Sequence, residues 1–93
     1  MSVVILGGNE CMVRQYRDLC SRHGHEAKIF THLKADMRGK IGSPDLLVLF
    51  TGTMSHKLLR SALNETRGGD TIIARSHSSS IAALKNILET HAG

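Results

Sequence analysis

Two stretches of this chain, Val3–Leu6 and Leu46–Phe50, are apolar at every position. Successive residues of a strand point to opposite sides, so a strand with no polar alternation must be covered on both faces. Sheets of that kind are mostly parallel, with helices packed above and below. Shorter runs at Ala27–Phe30 and Thr71–Ala74 read as two further strands. Helical patterns lie between them. Asn9 can cap a first helix that carries Met12, Val13, Tyr16, Leu19 and Cys20 on one side and stops near His23-Gly24. Thr31–Ser43 is a short connection with a turn or two of helix around Ala35–Arg38. Ser55–Thr66 directs Leu58, Leu59, Ala62 and Leu63 inward and is broken by Gly68-Gly69. Ser79–Thr90 buries Ile81, Leu84, Ile87 and Leu88.

This alternation predicts a single α/β domain over residues 1–93: a small four-stranded parallel sheet, a Rossmann-like or flavodoxin-like half, with helices on both faces. Right-handed crossovers place every strand's carboxyl end on one edge, where open α/β sheets bind ligands. A sheet this small leaves its edge strands exposed. A homodimer, with or without exchange of elements, is the natural remedy.

Composition removes several classes. Apolar residues make up 41% and charged residues 22%, which suits a globular chain rather than a disordered one. No apolar run approaches the roughly 20 residues needed to span a bilayer, so no membrane association is expected. The first strand is too short and too soon followed by charge to be a secretion signal, which points to the cytoplasm. Cys11 and Cys20 fall in one helix, about 13 Å apart along its axis, too far for a disulfide. They read as small apolar residues. The net charge is +4, but the basic residues are scattered, and Glu10, Arg14, Asp18 and Arg22 form a helix face of alternating sign. With only Tyr16, Phe30 and Phe50 aromatic, no stacking platform exists and no nucleic-acid partner is expected. Six histidines beside three aromatics is the odder balance, and it points towards a metal or a metal cofactor.

The segments that follow the strands are Gly7–Glu10, Thr31–Lys34, Thr51–His56 and Arg75–Ser80, and they contain His32, His56 and His77. The glycine pair Gly7-Gly8 allows close approach of backbone to a ligand, or simply a tight turn. His56 falls in the first turn of a helix on the flank of its apolar side, from which an imidazole can meet a metal or take a proton. His77 lies among serines that can cap the last helix. His23 and His25 flank a helix-ending glycine, and His91 is near the end of the chain. Arg75, at the end of a buried strand, would need an anionic partner.

Several chemistries fail on the residues. The dinucleotide turn needs glycine at position 9, which is asparagine; Gly39-Lys40 has Lys34 where a P-loop has glycine. No GxSxG elbow, HExxH or CxxC is present. What remains is anion binding by backbone amides and serines, or a metal cofactor held by one or two histidines.

"ILGGNE", a tyrosine in the first helix, a glycine before the second strand, a histidine after it, "SH" opening the next helix and "RSxSSS" near the end together resemble a family of small bacterial proteins, domain-of-unknown-function family 2325. The shared positions are Gly7, Gly8, Asn9, Glu10, Tyr16, Gly24, His32, Ser55, His56, Arg75, Ser78 and Ser79. Members often carry "DCVSH" where this chain has "GTMSH", and a glycine-rich stretch where it has "HLKAD"; both departures make the cleft more apolar. The resemblance implies non-covalent binding of b-type haem (iron protoporphyrin IX) by exchanged dimers, with a ferrous form that meets dioxygen or another diatomic gas. Haem needs an imidazole on iron, an apolar slot and cations for its propionates. His32 and then His56 are the expected metal ligands. Met12, Leu33, Met37, Met54 and Leu58 are candidates for the slot, and Arg14, Lys34, Arg38 and Arg75 for the cations. Gly8, Asn9 and Ser55 complete the expected cofactor-binding set. The role would be gas sensing, storage or haem handling, with no catalytic residue assigned. The alternative is a phosphate- or nucleotide-binding module in which Gly8, Asn9, Ser55, Ser79 and Arg75 cradle the anion. A weaker third reading makes His56 a general base oriented by Glu10.

Overall fold

The computed structural model describes residues 1–31 and 41–91. Four strands, β1 (Ser2–Leu6), β2 (Glu26–Phe30), β3 (Leu46–Phe50) and β4 (Ile72–Ser76), form one sheet in the order β2-β1-β3-β4. Every pairing is parallel. The two wholly apolar runs are the two central strands, and their residues from Val3 to Leu6 and from Leu46 to Phe50 are buried. Among the described residues, three helices cover the sheet: α1 (Val13–Arg22), α2 (His56–Glu65) and α3 (Ile81–His91).

The strand residues divide by parity. Val3, Ile5, Leu46, Val48 and Phe50 face a layer built from Tyr16, Leu19 and Cys20 of α1 and Leu84, Ile87 and Leu88 of α3. Val4, Leu6, Leu47 and Leu49 face the other way, onto Ala62, Leu58, Leu59 and Leu63 of α2 and onto Ile41. The sheet is thus doubly wound, with α1 and α3 on one face and α2 on the other.

Local signals behave as their chemistry demands. The Asn9 side chain accepts the Cys11 amide at 2.9 Å, but the turn it caps is a 3-10 turn over Glu10–Met12, and α1 begins only afterwards. Ser55 caps α2 by accepting the Leu58 amide at 3.2 Å. The expected limits of β4, Thr71–Ala74, begin one residue early and end two residues short of the observed strand. Arg75 and Ser76 continue its pairing, opposite Leu49 and Phe50. Arg75 is also exposed, not buried, because β4 is an edge strand whose outer flank nothing among the described residues covers; its guanidinium therefore needs no anionic partner.

Cys20 is fully buried and Cys11 exposed. Burial pushes the Cys20 thiol up to about 11 from an ordinary 9.0. The unfolded chain ionises first, so this group's contribution to stability is intact below about pH 9 and is lost as pH rises towards about 11. Urea midpoints measured over that interval should fall less steeply in Cys20→Ala than in the parent. A thiol reagent should modify Cys11 alone in the native chain and both cysteines after denaturation.

Candidate functional site

Because all four strands run the same way, their carboxyl ends share one edge of the sheet. The strand order reverses direction between β1 and β3, and the crevice at that reversal is where doubly wound sheets usually hold ligands. Here the chain itself fills the crevice. Gly7 and Gly8 have φ of +87° and +91°. The Gly8 amide donates to the Thr53 hydroxyl at 2.7 Å, and that hydroxyl donates to the Phe50 carbonyl at 3.0 Å. A Cβ on Gly7 would stand 2.7 Å from Thr53 Oγ1, and one on Gly8 would stand 3.0 Å from both the Phe50 and the Tyr16 rings. The glycine pair thus answers to protein packing. The Thr51–Thr53 3-10 turn that follows β3 supplies the closing residue.

Tyr16 ties the same edge together. Its ring is fully buried against Phe50, with centroids 5.5 Å apart. Its hydroxyl donates to the Ser79 carbonyl at 2.6 Å and accepts the Asn9 amide at 3.2 Å. One phenol thereby joins the segment after β1 to the segment before α3. Gly52 sits directly against His77, whose backbone carbonyl and ring occupy the space a Cβ would need.

The open part of the rim lies on the α2 side. A cleft of about 250 Å³ is lined by Thr51, Met54, Ser55, His56 and Leu59. A neighbouring cleft of about 200 Å³ is lined by His56, Leu59, Arg60 and Leu63. His56 belongs to both. The second set follows an i, i+3, i+4, i+7 pattern, so one helix face presents an imidazole, two leucines and a guanidinium. That spacing was readable, and Arg60 is the member that strand-end reasoning passed over. A larger cleft, about 360 Å³ and lined by Ser43, Pro44, Asp45, Gly69, Asp70 and Thr71, lies at the opposite edge, before β3 and β4.

The expected cofactor residues do not all gather here. Met54, Ser55 and His56 do. Met12 packs with the α1–α3 layer, on the other face of the sheet, and Arg14 is exposed on α1. Gly8 and Asn9 are on the rim, with their amides already bonded. Arg75 is exposed on β4, paired beside Leu49, whose side chain faces α2. His32 and Leu33, with Lys34, Met37 and Arg38, lie outside the described residues; the described chain leaves β2 at Thr31. Glu10 opens the turn into α1 and His56 opens α2, helices that pack on opposite faces of the sheet. Among the described residues no group of three or more His, Cys, Asp or Glu is placed to hold a metal ion. Among them, too, no helix is long and apolar enough to cross a membrane.

The chain matches no curated protein and no solved structure. A family profile does match, over residues 2–91, nearly the whole length. The chain belongs to the family described as "Uncharacterized protein conserved in bacteria (DUF2325)".

Proposed function

We propose that this chain binds b-type haem without covalent attachment at the α2 side of the strand-end rim, as a homodimer, in order to sense, store or hand on a diatomic gas or the haem itself. The observation that carries the reading is His56. Its imidazole stands between two adjoining clefts whose other lining includes Met54, Leu59 and Leu63, with Arg60 beside it. That is the donor set haem requires: an imidazole for iron, apolar side chains for the ring and a cation for a propionate. His32, which follows the end of β2 in the sequence, would be the first ligand to iron, and His56 would be the second or would hydrogen-bond a bound gas. When bound, haem supplies an iron able to take dioxygen, nitric oxide or carbon monoxide. The protein's own part is to orient the ring and exclude water around it.

The size of the clefts supports a dimer. At about 250 and 200 Å³ the two clefts are each smaller than the roughly 300–1,000 Å³ of ordinary cofactor pockets. A second copy can complete the slot. The two edge strands differ in a way that supports this. β2 carries Glu26 and Lys28 outward, the usual protection of an edge, whereas β4 exposes Ile72 and Ile73 at 40% and 36%. The order β2-β1-β3-β4 is that of the first four strands of a flavodoxin-like sheet. A strand from a partner beside β4 would extend it.

The rival anion-binding reading relies on Gly8, Asn9, Ser55, Ser79 and Arg75, and two of its donors, the Gly8 and Asn9 amides, already donate to Thr53 and Tyr16. A phosphate would have to displace both. Absorption spectra after haem addition separate the two readings. The parent should give a protein-bound spectrum at one haem per site, and His56→Ala and His32→Ala should each weaken binding by about tenfold or more or change the iron coordination. A spectrum equal to that of free haem, together with a thermal shift on adding nucleotides, would replace this proposal with its rival. Mass measured at micromolar concentration tests the dimer, which a monomer with haem bound would overturn.

A further inference from the structure

At the edge of the sheet opposite this rim, the chain turns from α1 into β2 through His23-Gly24-His25. The turn is held tightly. The His23 amide donates to the Cys20 carbonyl at 3.1 Å, the Gly24 amide to Ser21 at 2.9 Å and the His25 amide to Cys20 at 2.9 Å. Gly24 takes φ +77°, which lets the chain reverse and brings the two histidines to the same side. Their rings are nearly parallel, 12° apart, with centroids separated by 6.4 Å. Both ring nitrogens of His25 are buried and have no hydrogen-bond partner among the described residues.

The last fact is the informative one. An imidazole always has something to offer, a donor and an acceptor when neutral. Burying both nitrogens unbonded is unfavourable, and such an atom calls for an explanation, of which a bound ion is one. Two imidazoles sharing one metal through bonds of about 2.0–2.1 Å have centroids roughly 5 Å apart at a tetrahedral angle and roughly 6 Å when opposed. The observed 6.4 Å is close to that range, and because imidazole lone pairs lie in the ring plane, the two stacked side chains would rotate to bring one nitrogen of each onto the ion. We propose that His23 and His25 chelate a divalent transition-metal cation of the Zn²⁺ and Cu²⁺ class, with water in the remaining positions. Imidazole nitrogen selects this class over Mg²⁺ and Ca²⁺, which take oxygen ligands. The rigid turn supplies the preorganisation that a two-residue site requires. The site is separate from the haem proposal and does not depend on it.

Zn²⁺ alone, titrated into the untagged, haem-free full chain by calorimetry, tests it. One Zn²⁺ per chain is expected at this turn, with affinity lowered about tenfold or more in His23→Ala and in His25→Ala and unchanged in His91→Ala. His25→Phe retains the ring's volume, so it separates loss of a ligand from loss of packing; it should fold like the parent and bind as weakly as His25→Ala. Nitrogen hyperfine structure from Cu²⁺ should report two imidazoles in the parent and one in His23→Ala. Absence of Zn²⁺ binding by the parent, stoichiometric binding that survives the double substitution, or loss of binding in His91→Ala instead would each overturn the assignment.

Discussion

Gly7→Ala should destabilise the chain by about 3 kcal/mol, summing the cost of a left-handed non-glycine residue and of overpacking. Gly7 has φ +87°, and its added Cβ would stand 2.7 Å from Thr53 Oγ1 and 2.9 Å from the Phe50 carbonyl oxygen. Thr53 cannot simply rotate away, because its hydroxyl holds the Gly8 amide and the Phe50 carbonyl. Gly68→Ala is the control. Gly68 has φ +83°, but a Cβ added there would meet nothing within 4 Å, so it carries the conformational cost alone, about 1–2 kcal/mol. The difference between the two variants isolates the close approach of the β1 and β3 ends. For a chain of this size the loss at Gly7 corresponds to a fall in melting temperature of about 15 °C. Equal costs at Gly7 and Gly68 would mean that the crevice is not closed by Thr53, and would restore the glycine pair as a place for a ligand.

The interior of the fold was legible because apolarity on both faces has one common cause. A strand such as Leu46–Phe50 must lie inside a two-sided sheet, and it does, beside β1. Apolarity is a poorer guide at the edges. β4 pairs through its backbone with a single neighbour, so polar Arg75 and Ser76 extend it at no cost in burial. The cap was legible at Asn9, where one side chain serves an amide two residues away. Tyr16 was not: its hydroxyl meets a carbonyl 63 positions along the chain, and no local pattern announces such a bond. The site was half legible. Parallel strands do bring the ends together, but a rim has two faces, and reasoning from strand ends alone merges them. Met12 and Met54 are thereby separated by the sheet itself.

Tyr16→Ala should cost about 4 kcal/mol, as for other buried aromatic truncations. The side chain is fully buried, and its removal opens a cavity beside Phe50. Tyr16→Phe keeps the ring and removes only the hydroxyl, leaving the Asn9 amide and the Ser79 carbonyl without their shared partner. That loss should be about 2 kcal/mol, the penalty for unsatisfied buried polar groups. Amide exchange should localise it, with protection falling at Asn9 before it falls in β3. The pair of variants also locates the functional surface. Tyr16 packs in the α1–α3 layer, whereas His56 opens α2 on the opposite face. If haem sits along α2, Tyr16→Phe should change its affinity by less than about twofold while His56→Ala changes it by about tenfold or more. If instead the phenylalanine variant weakens haem as much as the loss of His56, then the cofactor contacts the β1–β3 crevice. Gly8 and Asn9, rather than Met54, Leu59 and Arg60, would then be the residues that hold it.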